Sequence, residues 1–380
     1  MNLIKKQVVI PENSILRFRE YQHNQIVQFV QLGIDYMQSN GFQQYDATTS
    51  TLEIIDTNTY ENIGHFATKT IKIKLSDKCK DYFVALVIPK LLNGSFFKLN
   101  CTQYIPTFFI QDLPIVKKPK SSKLYSLFCP ITLFFKDSTA IIYGNNIPIS
   151  RFLSIYYDKQ TIIDLAAEFE FNVINEPMQI TLNYFSKLFN CDPNTDAIAA
   201  RFELLFFDAW TRNLYKECYK LDDVSLKIIL DILFLQMQTA NEDDLTFIDL
   251  RMKRLTYVES LLAPYFRAIS DATKSLLKGQ QPFKLNLTLG CIIDHFFNGL
   301  NKLNLYDITN GYSSILDLKA TFQSPASKSE LPVSVSMIHE SFFGKVCIVT
   351  VSNMETGKVV SLVPEQNVDL NYGLFDFSEK

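Results

Sequence analysis

The chain is 380 residues long, with 47% hydrophobic and 20% charged residues and a formal net charge of −3. This is ample apolar material for two or three domains, and the acidic balance excludes a freely sliding, histone-like DNA binder held by bulk charge. Seven cysteines without any Cys-x-x-Cys pair exclude a paired-thiol zinc site and read as reduced, mostly buried thiols of a cytoplasm.

Residues 20–40 carry Ile26, Phe29, Val30, Gly33 and Ile34 at helical spacing, which predicts a helix with one apolar face. From 51 to 75 the pattern changes to alternation, as in Thr70-Ile71-Lys72-Ile73-Lys74-Leu75, and predicts strands. Strand signals continue over 82–88 and 96–110, around the turn Asn93-Gly94, and resume at 131–143. Between them Lys117-Lys118-Pro119-Lys120-Ser121-Ser122-Lys123 reads as a polar loop or boundary. Residues 161–240 turn mainly helical. Apolar residues recur every three or four positions over 197–219 and 223–238, and Asp222-Asp223 sits where an N-cap belongs. After the acidic break Asn241-Glu242-Asp243-Asp244, helices are predicted over 257–277 and 287–303. Residues 334–363 return to strands, with a hairpin turn near 353–357. The expected fold class is α+β, a helical block set between two β-rich parts. No signal-peptide pattern precedes Pro11. The richest apolar runs, 125–135 and 228–235, are shorter than the roughly 18 residues a membrane span needs. A soluble intracellular protein is expected.

Catalytic chemistry is sparse. The four histidines are His23, His65, His295 and His339. Cys291 and His295 stand four apart on a predicted helix, and without further ligands nearby they read as packed side chains. Neither a phosphate-cradling glycine-lysine loop nor a dinucleotide glycine motif is present. Asp222-Asp223 and Asp243-Asp244 are adjacent pairs whose side chains diverge, as suits caps and solvated turns better than a two-metal cage. His339 reads as a hydrogen-bonded residue holding the turn before Gly344. Gly344 and Gly357 mark backbone with φ > 0 or a close approach, and Cys347 reads as inert core.

Five segments carry a resemblance. His339-Glu340-Ser341-Phe342-Phe343-Gly344-Lys345-Val346-Cys347 resembles the His-Pro-x-x-Tyr-Gly-Arg-Val-Cys stretch of cellular RNA polymerase β subunits, with matching intervals. Ser361-Leu362 and Tyr372-Gly373-Leu374-Phe375 fall near that family's Ser-Leu and Tyr-Gly-Phe. Upstream, Asp307-Ile308-Thr309-Asn310-Gly311-Tyr312-Ser313-Ser314-Ile315 resembles Asp-Gln-Asn-Asn-Pro-Leu-Ser-Glu-Ile, where the fork region and rifamycin pocket begin. Asp249-Leu250-Arg251-Met252-Lys253-Arg254-Leu255 looks like Asp-His-x-Gly-Asn-Lys/Arg-Arg-Leu/Ile. The matches keep the family's order and cover roughly 245–380. Departures are large: Ile348 to Gly357 stands where the family has Pro-Ile-Glu-Thr-Pro-Glu-Gly-Pro-Asn.

The resemblance implies the N-terminal portion of a β-like subunit of a multisubunit DNA-directed RNA polymerase, of the split kind found in giant tailed phages. It implies a protrusion-like domain (1–135 and 245–300), a reduced, mainly helical lobe-like domain (136–244) and a fork-like segment (301–380). No catalytic or metal-binding residue is expected in this chain, which alone should be inactive. Catalytic Mg2+ would belong to a β′-like partner chain or chains. Other implied partners are a chain with the β C-terminal half, a promoter-specificity factor, template DNA and nascent RNA. The implied location is the cytoplasm of an infected bacterium, with packaging in the virion left open. Lys319, Lys328, Lys345 and Lys358 would face nucleic acid as point charges. Lys253 and Arg254 have two even readings, a phosphate contact or neutralisation of Asp249 and capping of the preceding turn. Asp307, Asp317, Ala320 and Phe322 would be the rifamycin-pocket equivalents, with drug resistance expected because Ala320 and Phe322 withhold polar contacts. The rival expectation is a phage structural or scaffold protein with a coincidental likeness.

Overall fold

The computed structural model describes residues 14–40, 52–57, 68–76, 81–92, 96–99, 102–118, 121–238, 249–277, 303–305, 318–322, 339–347, 359–364 and 366–378. Their architecture is mixed α+β. Helices α1 (Ser14–Asn24) and α2 (Ile26–Ser39) lead into β1 (Leu52–Thr57), β2 (Thr68–Ser76), β3 (Asp81–Pro89), β4 (Phe97–Leu99), β5 (Thr102–Pro106) and β6 (Phe108–Asp112). Then come β7 (Ile115–Lys118), β8 (Ser121–Leu124), β9 (Ile131–Phe134), β10 (Thr139–Ile142) and β11 (Asn145–Pro148). The helical block follows: α3 (Ile149–Leu153), α4 (Lys159–Phe169), α5 (Met178–Phe189), α6 (Thr195–Phe206), α7 (Ala209–Tyr219) and α8 (Leu226–Gln238). The chain continues as β12 (Lys253–Thr256), α9 (Val258–Leu261), α10 (Ala263–Leu277), β13 (Leu303–Leu305), β14 (Lys319–Phe322) and β15 (Val359–Ser361).

The described strands make four sheets, ordered β1-β2-β3, β11-β10-β9-β8-β7, β12-β6-β14-β15 and β13-β5-β4. The second is an antiparallel meander whose period-two pattern buries Ile131, Leu133, Ala140 and Ile142 on one face. The third gathers strands from distant parts of the chain, and in it β14 runs parallel to β6.

Two hydrophobic cores result. One joins α1, α2, β6, β12, α9, α10, β14 and β15, with Val368 and Phe375 from the last described segment. The other packs the meander against α3–α8 and begins with Ile115. At its centre Phe202 meets Phe152, Phe185 and Phe189 with ring centroids 5.3, 5.2 and 5.0 Å apart, the edge-to-face geometry that ring quadrupoles favour. The expected division at 135/136 falls between β9 and β10, which are paired.

Several local expectations need correction. The lysine-rich run at 117–123 is not a boundary, because Lys117 pairs with Ser122 and Lys118 with Ser121 inside the β7–β8 hairpin. The stretch 197–219 is two helices, since the Asp208 carboxylate accepts the Thr211 amide at 2.9 Å and starts α7 afresh. Asp222-Asp223 does not cap α8. That role falls to Ser225, whose hydroxyl accepts the Ile228 amide at 3.3 Å, and to Glu203 from α6, which accepts the Leu226 amide at 2.5 Å. The predicted helix at 257–277 is present as α9 and α10, but Leu303 belongs to β13, and 287–300 lies outside the described residues. Within 334–363, Glu340–Phe342 is a 3₁₀ turn and Val359–Ser361 a strand. The turn near 353–357 lies outside the described residues, as do Cys291, His295, His65, Gly357 and the pair Asp243-Asp244.

Candidate nucleic-acid interface

The basic pair Lys253-Arg254 opens β12, a strand buried along its whole length. On one edge β12 pairs with β6, setting Lys253 opposite Asp112 and Arg254 opposite Gln111. On its other edge the Leu255 amide donates to the Gly373 carbonyl at 2.7 Å, and Arg254 bridges to Leu374. Neither side chain faces solvent. Lys253 forms an ion pair with Asp112. Arg254 is 0% exposed, and its Nη1 and Nη2 donate to the two Glu259 oxygens at 2.7 and 2.5 Å, with Nη2 also reaching Gln111 Oε1 at 3.0 Å.

The guanidinium lies over the Tyr125 ring at 5.0 Å and the Trp210 ring at 5.3 Å, and the Tyr125 hydroxyl donates to Glu259 at 2.6 Å. Burial works against the Arg254 charge, but the adjoining Glu259 carboxylate outweighs it and holds the guanidinium above its ordinary pKa. Burial, with the same carboxylate beside it, raises the Tyr125 phenol. This fork-to-fork pair lies between two aromatic faces, and of the guanidinium nitrogens only Nε is without a hydrogen-bond partner. To meet a phosphate, Arg254 would have to leave Glu259 behind as a buried unpaired charge. The nucleic-acid-facing expectation for Lys253 and Arg254 is corrected accordingly: their charges are absorbed by Asp112 and Glu259. Asp249 is instead the cap of the turn at Leu250–Met252, accepting the Arg251 amide at 2.9 Å.

The neighbouring His339 turn packs onto the Leu250–Met252 turn that leads into this strand. His339 Nδ1 accepts the Ser341 amide at 3.2 Å and lies 2.8 Å from the Ser341 hydroxyl, which in turn accepts the Leu250 amide at 2.9 Å. An Nδ1 that accepts leaves the ring proton on Nε2. Asp249 is 3.8 Å from that same Nδ1, so the three do not form a nucleophile–base–acid relay, in which Ser and Asp must engage opposite ring nitrogens. They hold a turn. Gly344 follows at φ +70°, with open space where a Cβ would point; backbone conformation, not crowding, explains the glycine.

Lys345 donates its Nζ to the Asp376 carbonyl and lies 5.3 Å from the Phe377 ring. Lys319 is half-buried on β14, opposite Ser361 of β15. Ala320, in the same strand, is 0% exposed between β6 and β15, and Phe322 packs on Phe342 with centroids 6.3 Å apart. A residue sealed inside a four-stranded sheet cannot line a drug pocket, so the rifamycin-pocket expectation for Ala320 is corrected. Cys347 is half-buried at the end of the turn and not core; its amide donates to the Ser361 carbonyl at 2.8 Å. Lys328, Lys358, Asp307 and Asp317 lie outside the described residues.

No protein-family model and no curated protein matches this chain. Among the described residues, no three His, Cys, Asp or Glu side chains are placed to hold a metal ion, and no helix is long and apolar enough to cross a membrane. Sequence reasoning missed Glu259, Gln111, Tyr125 and Trp210, which complete the Arg254 cluster. The one available signal was Trp210, the only tryptophan of the chain, a residue type that packs readily against guanidinium groups.

Proposed function

We propose that the chain is the N-terminal portion of a β-like subunit of a phage multisubunit DNA-directed RNA polymerase, working only within the assembled enzyme. One observation carries this reading. Segments separated by up to 120 residues, and singled out by their likeness to the β family, pack against one another. The 249–255 segment pairs with Gly373-Leu374 and hydrogen-bonds to Ser341; Val346 bridges to Leu362; and β14 and β15 share the sheet of β12. A coincidental likeness has no reason to cluster in space. In this reading 1–135 with 245–300 is the protrusion-like part, 136–244 the lobe-like part and 301–380 the fork-like part. Lys319 and Lys345 are the remaining described cations for the nucleic-acid side.

Phosphoryl transfer then requires carboxylate-bound Mg2+ from a β′-like partner, with a second chain supplying the β C-terminal half. The experiment is affinity purification of the tagged full chain from infected cells, followed by templated RNA synthesis with the purified assembly and with the chain alone. The expected outcome is co-purification of polymerase chains and RNA synthesis by the assembly only. Synthesis by the pure chain would overturn the half-subunit reading. A phage structural or scaffold protein is the second reading, favoured by the sequestration of Lys253 and Arg254 in ion pairs. Recovery with capsid or tail proteins, and with no polymerase chain, would decide for it.

A further inference from the structure

The two hydrophobic cores share no residue, and units with separate cores ordinarily move and open separately. Here a seam of buried polar bonds crosses between them. The chain passes from one core to the other at Phe128-Cys129. Around that crossing, Ser126 Oγ donates to the Phe206 carbonyl of α6 at 2.7 Å, and Ser270 Oγ of α10 donates to the Phe128 carbonyl at 2.7 Å. Near the end of α2 the Tyr36 ring stacks on Phe128 with centroids 4.2 Å apart, and its hydroxyl donates to the Leu205 carbonyl of α6 at 2.8 Å. That uses its one hydrogen, so the Tyr143 hydroxyl, 2.9 Å away, is the donor to Tyr36. Burial raises both phenols above their ordinary pKa, so the pair stays protonated. Beside it Arg201 of α6 donates from Nη2 to the carbonyl of Asn40, the C-cap of α2, at 3.1 Å, where a cation suits the negative end of the helix.

Tyr143 reaches this seam at a conformational cost. Tyr143 and Gly144 form the β10–β11 turn, closing the Ile142–Asn145 pair with φ of +56° and +76°. Two left-handed residues are the mark of a tight hairpin turn, where Asn or Asp before Gly is the favoured choice. A bulky side chain at φ > 0 is a strained exception, and such strain persists only where the surroundings impose it. The imposing contact is on the page: the Tyr143 ring is buried in the second core, and its hydroxyl meets a residue of the first.

We propose that the Tyr36–Tyr143 pair is the pin of a rigid joint: with the bonds of Ser126, Ser270 and Arg201 beside it, the pair fixes the meander and α3–α8 to α2, and the two cores move and open as one body. The strained turn is kept because position 143 must supply a ring that ends in a hydroxyl. Apolar packing works in the same direction, since Trp210 of α7 lies 5.7 Å from Phe29 of α2 and 5.8 Å from Tyr372. A partner that grips either part of the chain then moves both, whichever assembly the chain joins.

Hydrogen exchange on the full chain, across a urea series, tests this. In the parent the slowest amides of α8, in the second core, and of α10, in the first, should exchange through one shared opening with the same dependence on urea. Separate openings would overturn the joint, and this measurement needs no variant. The pin is tested by removing hydroxyls while keeping both rings. Tyr143→Phe should speed exchange at 38–40, across the seam in α2 and its cap, and Tyr36→Phe should speed it at 142–145, each by about fivefold or more. The double variant should be no worse than Tyr36→Phe alone, because the two hydroxyls share one bond. Acceleration confined to the substituted residue's own core, or losses that add in the double variant, would overturn the pin and leave Tyr143 as filling of the second core.

Discussion

Arg254 and Glu259 meet through two hydrogen bonds inside the protein, Nη1 to Oε1 at 2.7 Å and Nη2 to Oε2 at 2.5 Å, with side chains 1% and 5% exposed. Six residues of chain, a strand and a helix start, are enough to close the pair. Its consequences differ for single and double replacement.

Removing one partner strands the other charge away from water. Glu259→Leu is expected to cost about 3–5 kcal/mol, whereas Arg254→Met with Glu259→Leu should recover most of that loss. Urea denaturation of the parent, both single variants and the double variant measures it. A double variant no better than Glu259→Leu would show that Arg254 is held chiefly by Gln111 and the aromatic faces.

Asp208 gives a pH dependence. Its carboxyl is buried where it caps α7, and burial pushes its pKa up from 3.8 to about 6. A raised folded-state pKa contributes stability that is fully present below the unfolded value and is lost as pH rises through the folded one. The window therefore runs from about pH 4 to about pH 6, for up to about 3 kcal/mol. Asp208→Asn keeps a competent cap and removes the slope. It should gain stability relative to the parent as pH rises through that window, measured by denaturant midpoints at fixed ionic strength. A constant difference across the range would show that Asp208 does not titrate there.

Ala320 tests the strand assignment. Ala320→Leu should cost about 1–3 kcal/mol through overpacking. Ala320→Arg should cost more, because it places a charge inside the sheet at a position that is 0% exposed. Thermal melts separate these from the near-silent behaviour of a pocket-lining position.

His339 caps the turn at Glu340–Phe342 through its acceptor nitrogen. His339→Ala should cost about 1 kcal/mol, and His339→Asn less, since a side-chain oxygen can accept the same amide. Equal losses in the two melts would move the role of His339 from the cap to packing.

On the polymerase reading, Lys319→Gln and Lys345→Gln in the assembled enzyme should each lower the salt dependence of template binding by about one unit of slope. Filter binding across a salt series reads this, and unchanged slopes for both would remove these lysines from the nucleic-acid side.

The sequence by itself determined what is periodic and local. The apolar spacing of Ile26 to Ile34 makes α2, the alternation of Thr70 to Leu75 makes β2, and the sparse Cys and His pattern excludes a paired-thiol zinc site. It also marked the segments at 249–255, 339–347 and 372–375 for their likeness to one family. Only the tertiary structure decided the fate of the charges, because a basic side chain in a strand reads the same whether its partner is water, a phosphate or a carboxylate elsewhere in the chain. Asp112 neutralises Lys253 from a strand 141 residues away, and a Cβ at Gly373 would stand 1.8 Å from the Leu255 carbonyl oxygen. Ala320 became core through β14 lying parallel to β6, a pairing that short-range pattern does not encode. Electrostatic partners and strand neighbours are fixed by packing between distant segments, and that is where the expectations for Lys253, Arg254 and Ala320 were overturned.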